Sequence, residues 1–380
     1  MGRGVTSIFK RDRSCLEVSS ASKNTFIIVL AGGHGSRFWP LSRSSMPKQF
    51  LSVSDDGESL IQATARRVAP LVSPGRIKVV ANSSLVGLIK EHVPLAGIFI
   101  EPEARNTAAC IGLAAVAAQV EMSGGDPVLV VLPADHAVKD EEKLREALSE
   151  AIAVANDTDS LVTIGIPPTH PNTGYGYIKR GAHLSNRAYR VDRFYEKPNL
   201  QRAEKYLEQG GFSWNSGMFV WRASAILAAF KAHLPAMHEG LMAIREMLQS
   251  GVKLGESKEI ADLFATFESI SIDFGVLEHA KNCVVIDAEP FGWNDVGSWD
   301  QWAENFEVDA DGNLIHGDAI VIDSHGCVVR SDKRMIAAVG LRDVVVIDSG
   351  DALLVVSREH VQDVRKVVSE LKQRGRLDLT

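Results

Sequence analysis

Short unbroken apolar runs recur along the first half of the chain: "TFIIVL" from Thr25, then "RIKVVAN", "GIFIEP", "DPVLVVLPADH" and "LVTIGIPP". They lack polar alternation and are rich in isoleucine and valine, the pattern of strands buried on both faces. Between them lie stretches with apolar positions at helical spacing, such as "NTAACIGLAAVAAQV" and "EEKLREALSEAIAVA". This alternation predicts an α/β domain with a mostly parallel sheet. Ligands of such sheets bind beyond the carboxyl ends of the strands, so functional residues are expected there.

From Gly174 the texture changes. "GYGYIKRG" and "RAYRVDRFYEKP" read as paired strands and "FSWNSGMFVW" as another, while Ala223 to Ala280 is mostly helical, which suits a substrate-covering region on the same sheet. Beyond about Asn305, short strands follow closely: "GDAIVID", "CVVRSD", "MIAAVG", "DVVVID" and "ALLVVS". Repeated short strands without helices predict a small β domain, a β-helix or roll. The helical spacing of "HVQDVRKVVSELKQRG" predicts a helix that closes it. The expected division is residues 25–305 for the α/β domain and 306–380 for the β domain. Residues 1–24, polar and basic without the apolar core of a signal peptide, read as a disordered extension; a misassigned start codon would look the same.

Composition mainly narrows the partners. The 380 residues allow a large core and two domains, and 45% hydrophobic with 23% charged residues is ordinary for a soluble globular chain. A net charge of -7 argues against nucleic-acid binding, so any phosphate site must be local. No apolar stretch approaches bilayer length, and no membrane partner is expected. Cys15, Cys110, Cys283 and Cys327 are far apart and lack metal spacing, so they read as reduced thiols in a cytoplasmic protein.

Positive charge and bare backbone meet in "LAGGHGSRFWPLSRSSMPKQF", directly after the first buried run. A Walker loop is excluded because Ser36 and Arg37, not Lys-Ser or Lys-Thr, follow Gly35; a dinucleotide fingerprint is excluded because Phe38 stands where its third glycine would be. One reading is a glycine-rich turn with solvated basic residues. The other is an anion cradle of glycine amides, with Arg37 and Lys48 in one loop stiffened by Pro40 and Pro47: a phosphate site.

Asp135 and His136 in "VLPADHAV" interrupt the end of a buried run. An isolated Asp there reads as a cap or turn. Beside a triphosphate it would instead meet Mg²⁺, which takes one or two carboxylates plus phosphate oxygens. Asp295 in "FGWNDVGSWDQW" lies at another strand-to-helix junction, a turn residue if taken alone and a metal partner if paired with Asp135. Glu196 and Lys197 in "FYEKPNL" suit sugar hydroxyls and a phosphate, although neighbouring Glu and Lys are also plain surface residues. Asn215 in "WNSGMF" adds a donor and acceptor, and Gly174 and Gly176 in "TGYGY" let backbone approach a ligand. In "EPEARNTAAC", with Glu101 and Arg105 beside it, Asn106 caps a helix, reads a nucleobase edge, or does both.

Taken in order, "AGGHGSRFWPLSRSSMPKQF", "EPEARNTA", "LPADH", "TGYGYI", "EKP", "WNSGMF", "GWNDVGSW" and "DALLVV" give a sequence that resembles bacterial mannose-1-phosphate guanylyltransferases, the GDP-mannose pyrophosphorylases, from about Phe26 to Leu371. The resemblance implies a Rossmann-like nucleotidyltransferase domain with a mixed, mostly parallel sheet. It implies that Gly32, Gly33 and Gly35 hold GTP with their backbones, with Pro133 in the same nucleotide-binding set, and that Arg37 and Lys48 neutralise its phosphates. Asp135 and Asp295 would bind Mg²⁺. Glu196, Asn215 and the backbone of Gly174 to Gly176 would hold mannose, with Lys197 on its phosphate, and Asn106 would help to select guanine. His34 and Phe38 depart from the small residue and leucine of the family signature, as does Asn172 from an acidic residue. Relatives that also isomerise mannose 6-phosphate carry a further cupin-like domain, so this chain is expected to be monofunctional.

The implied reaction is attack by a phosphate oxygen of mannose 1-phosphate on the α-phosphorus of GTP, in line with departing pyrophosphate. It depends on positioning and charge neutralisation, with no general base, since the nucleophile is already anionic. His136 is left a structural role. The competing readings are the same transfer with another nucleotide or hexose 1-phosphate, and a non-catalytic sugar-nucleotide-binding regulator. Terminal β domains of this superfamily often mediate assembly, which is compatible with a homodimer.

Overall fold

The computed structural model describes residues 24–33, 35–54 and 57–380. The extension expected over residues 1–24 lies outside the described residues except for Asn24, as do Cys15 and His34. Four of the apolar runs form β1 (Thr25–Leu30), β2 (Ile77–Asn82), β3 (Gly97–Glu101) and β4 (Val128–Pro133), which pair in parallel in the order β3, β2, β1, β4. Each is buried on both faces: Phe26 and Ile28 of β1 enter one core, Ile27 and Val29 the other. That is why these runs show no polar alternation.

The sheet continues through β5 (Leu161–Ile166), the hairpin of β6 (Tyr177–Ser185) and β7 (Ala188–Tyr195), β8 (Phe212–Arg222) and β9 (Cys283–Asp287). The full order is β3-β2-β1-β4-β8-β5-β9-β7-β6. Here β9 runs parallel to β5, whereas β8 lies antiparallel between β4 and β5. This reversal matters for the site. The first half of β8, with Asn215 opposite Gly165, is carried to the carboxyl ends of its parallel neighbours.

Helices cover both faces. Asn106–Glu121 is apolar around most of its circumference and buried from Ala108 to Ala118, a helix enclosed rather than one lying on a surface. It is wedged against Pro235–Gln249, where the absent side chain of Gly112 admits Leu241: a Cβ there would lie 2.4 Å from Leu241 Cδ1. On the other face, Glu141–Asp157 begins at Asp140, whose side chain caps the Lys143 amide, and buries Leu144, Ala147, Leu148, Ala151, Ile152 and Ala155 along one stripe. The stretch from Ala223 to Ala280 is helical as expected, ending in a π-helical turn at Asp273–Leu277.

The C-terminal strands stack as a coil. β10 (Leu314–His316), β12 (Val328–Ser331) and β14 (Val344–Asp348) pair in parallel, β15 (Leu353–Ser357) returns antiparallel to β14, and β11 (Ala319–Ile322) pairs in parallel with β13 (Ile336–Val339). The final helix, Val364–Gln373, closes it. A third core joins this coil to the sequence after β1: Phe38, Trp39, Leu60, Trp299 and Trp302 pack with Leu314, Val328, Val345, Ile347 and Val364. Among the described residues, Cys110, Cys283 and Cys327 are buried and free, and no helix is long and apolar enough to cross a membrane.

Candidate active site

A cavity of about 480 Å³ opens at the carboxyl edge of the sheet. Gly32 and Gly33 follow β1 into it, Glu101 ends β3, and Asn106 and Thr107 start the enclosed helix. Pro133 ends β4, and Asp135 and His136 come just after it. Gly174, Tyr175 and Gly176 precede β6, Glu196 and Lys197 follow β7, and Asn215 stands in β8; Asp273, Trp293 and Asp295 complete the wall. Residues spread over most of the sequence meet because the ends of these strands share one edge.

At the centre Lys48 acts as a clamp. Its side chain is buried, and Nζ donates to Asp135 Oδ2 at 2.8 Å and to the Asp295 carbonyl at 2.7 Å. Burial pushes the Asp135 carboxyl up, but the charge and hydrogen bond of Lys48 outweigh it and hold the group below its ordinary value. Gly35 is essential to this arrangement in a way the sequence did not show: at φ +62, a Cβ on it would lie 2.2 Å from Lys48 Cβ. Gly35, Arg37 and Lys48 are not among the residues lining the cavity, but Lys48 Nζ reaches the acidic wall from behind. Arg37 Nη1 donates to Gln362 Oε1 at 3.0 Å in the C-terminal part and also lies beside Gly297 of the Asp295 turn.

Asp295 is fixed from both ends. Its Oδ1 accepts the Tyr175 hydroxyl at 2.9 Å and Gln301 Nε2 at 2.6 Å. The next residue, Val296, has φ 46, a conformation that a β-branched residue adopts only under constraint. The constraint is visible, since the Val296 amide donates to Asn294 Oδ1 and Lys48 holds the preceding carbonyl. His136 is turned so that Nδ1 accepts from Trp293 Nε1 at 3.1 Å, and burial lowers its pKa, so the ring is neutral at pH 7.

Polar groups also line both flanks. Asn215 is locked: its amide nitrogen donates to Asp273 Oδ1 at 2.7 Å and its Oδ1 accepts the Gly217 amide. Burial pushes the Asp273 carboxyl up to about 6, against the Asn215 hydrogen bond that lowers it. Glu196 and Lys197 pair with each other at 2.9 Å, and Lys197 holds φ 42. A Cβ on Gly176 would come within 2.8 Å of Glu196 Oε2 and would displace that carboxylate. On the other flank Glu101 is buried in the wall beside Gly32, and burial drives its carboxyl up to about 7 against the Arg105 backbone hydrogen bond. Asn106, at φ 62, accepts the Thr107 amide with its own side chain, while Arg105 takes the capping position.

Tyr175, Asp273 and Gln301 carry contacts that sequence reasoning did not assign. Tyr175 lies inside a motif notable for its glycines, and Asp273 is a lone acid in a helical pattern with no spacing signal. Among the described residues no group of three His, Cys, Asp or Glu side chains could hold a metal. The donor set nonetheless fits a hard cation: Asp135 and Asp295 line one cavity, and a cation such as Mg²⁺ needs only one or two carboxylates when phosphate oxygens supply the rest.

A parallel-sheet edge with a glycine turn, a clamped lysine and two carboxylates is the setting for chemistry on a nucleotide's phosphates. Residues 26–312 match the nucleotidyl transferase family, and the chain belongs to it; residues 317–371 match the MannoseP isomerase/GMP-like beta-helix domain. Within that class it is similar to proteins named for mannose-1-phosphate guanylyl transfer and for polysaccharide biosynthesis. It is 39% identical over 355 residues to the mannose-1-phosphate guanylyltransferase of Salmonella muenchen, a match covering 92% of this chain and 74% of that protein. It is 42% identical over 359 residues to the xanthan biosynthesis protein XanB of Xanthomonas campestris pv. campestris, covering 93% and 74%. The crystal structure of a mannose-1-phosphate geranyltransferase from Thermus thermophilus superposes with a TM-score of 0.82 at 36% identity, covering 92% of this chain and 99% of that one. The protein is thus a nucleotidyltransferase of the mannose-1-phosphate guanylyltransferase kind, as the motifs led us to expect.

Proposed function

We propose that the enzyme transfers GMP from GTP to α-D-mannose 1-phosphate, releasing pyrophosphate and forming GDP-mannose, in the cytoplasm and with Mg²⁺. The observation that carries this reading is the order of groups across one sheet edge. Glu101 and the glycine turn follow β3 and β1, Asp135 follows β4, and Asn215, Glu196 and Lys197 lie with β8 and β7 beyond. Base, phosphates and sugar fit in that sequence.

Bound between Asp135 and Asp295, Mg²⁺ would supply charge neutralisation for the triphosphate. The remaining work falls to the protein. The Gly32 and Gly33 amides face the phosphates, and Pro133 closes the wall beneath the nucleotide. Lys48, packed on Gly35, keeps the two acidic segments together and adds positive charge, and Arg37 adds a second. Lys197 receives the phosphate of the sugar, while Glu196, Asn215 and the Gly174 to Gly176 backbone hold its hydroxyls. With these in place, one oxygen of that phosphate attacks the α-phosphorus as pyrophosphate leaves opposite, and no proton has to move. Guanine presents two neighbouring donors, N1–H and the 2-amino group. A carboxylate accepts both, so Glu101, ionised above about pH 7, is assigned to the base together with Asn106. A homodimer belongs to this reading and is checked by sedimentation.

The test is pyrophosphate release with Mg²⁺, comparing GTP plus mannose 1-phosphate with the other nucleotides and with glucose 1-phosphate. Turnover confined to the first pair is expected. Preference for another pair would discard the substrate assignment, and no release from nucleotide-binding protein would favour a regulator. Lys48→Ala should lower the rate by on the order of 10² to 10³.

A further inference from the structure

We propose that Tyr175 is a positioning residue that couples the sugar end of the cavity to the cation end, so that mannose 1-phosphate and the divalent cation strengthen each other's binding. The inference rests on the reading above for the identity of the two ligands, but its geometry is independent of it. Tyr175 stands between Gly174 and Gly176, in the segment assigned to the sugar. Its hydroxyl donates to Asp295 Oδ1 at 2.9 Å, and Gln301 Nε2 donates to both the Tyr175 hydroxyl and Asp295 Oδ1, each at 2.6 Å. Its ring packs on Trp293, centroids 5.0 Å apart, and Trp293 in turn donates to His136, the neighbour of Asp135. One side chain therefore touches the supports of both acidic segments.

The segment that carries it is not fixed in the same way. Gly174 is exposed and held by its amide to Asn172 Oδ1, whereas the Gly176 carbonyl accepts the Asn215 amide at 2.8 Å, so the freedom to shift lies on the Gly174 side. A sugar that fixes Gly174 also fixes where the Tyr175 hydroxyl points, and with it the Asp295 carboxylate. The ordering is then done before the cation arrives, and coupling of this kind is reciprocal.

The experiment measures Mn²⁺ affinity by electron paramagnetic resonance with α,β-methylene GTP, which cannot release pyrophosphate, in the presence and absence of mannose 1-phosphate. In the unaltered protein the sugar phosphate should tighten Mn²⁺ binding about fivefold or more. In Tyr175→Phe the enhancement should fall below about twofold, while mannose 1-phosphate without metal binds as before. Gln301→Leu, which leaves Tyr175 in place but removes the shared donor, should lie between them and serves if the tyrosine variant fails to fold. Full enhancement in the variants, or none in the unaltered protein, overturns the proposal. If the unaltered protein binds no Mn²⁺ with the nucleotide analogue, the functional reading falls as well, which separates the two failures.

Discussion

At the scale of single residues, one buried carboxyl has no ion pair among the described residues. Glu101 keeps its proton up to about 7 in the fold but releases it near 4.5 when free of burial. Between those values the folded chain holds a proton that the unfolded chain has lost, so stability falls as pH rises through that window. A displacement of this size corresponds to roughly 3 kcal/mol at most, fully expressed above pH 7 and absent below 4.5. Glu101→Gln removes the penalty. Without ligand, its urea midpoint should match the unaltered protein near pH 4.5 and exceed it at pH 8; equal midpoints at both would show a well-solvated carboxyl. The same variant offers guanine one acceptor where the carboxylate offers two. Its kcat/KM for GTP should therefore drop by about tenfold or more, and that for inosine triphosphate, which lacks the 2-amino group, by less.

At the scale of elements, the end of the chain holds its beginning. Trp39 Nε1, in a buried ring, donates to the Leu379 carbonyl at 2.9 Å, and the Thr380 carbonyl accepts the Ser44 amide at 3.1 Å. Deleting Leu377 to Thr380 strands the buried indole N–H, which costs about 1–3 kcal/mol. It also frees the loop that carries Arg37 and Lys48. The KM for GTP should rise more than that for mannose 1-phosphate; equal changes would mean the tail stabilises the fold without shaping the loop. Contacts of this kind explain what the sequence could and could not reveal. The runs that became β1 to β5, the β6/β7 hairpin and the closing helix were legible because each is a local pattern. The antiparallel place of β8 between β4 and β5 was not, since it depends on pairing between distant segments. Motifs marked Gly32, Asp135 and Asn215, which the fold brings to one cavity, but the hydrogen bond from Tyr175 to Asp295 spans 120 residues and the one from Arg37 to Gln362 spans 325, beyond the reach of any spacing.

At the scale of the molecule, the change of architecture near residue 305 does not coincide with a break in the core. Phe38 and Trp39 from the glycine loop, with Trp299 and Trp302 beside the Asp295 turn, bury themselves against Leu314, Val345 and Ile347 of the coil. Arg358 adds an ion pair to Asp300 at 2.7 Å. If the coil opened alone, it would uncover this aromatic cluster and loosen both the glycine loop and the Asp295 turn. A unit that cannot lose one part without exposing the other's core unfolds cooperatively. Calorimetry of the whole chain should therefore show a single transition, and two resolved transitions would refute the shared core. If, as proposed, the nucleotide binds on the loop that this core supports, GTP with Mg²⁺ should shift the entire transition, by about 2.7 kcal/mol at a hundred times the dissociation constant. A ligand that moved only part of the heat absorption would show that the loop and the coil hold their structure separately.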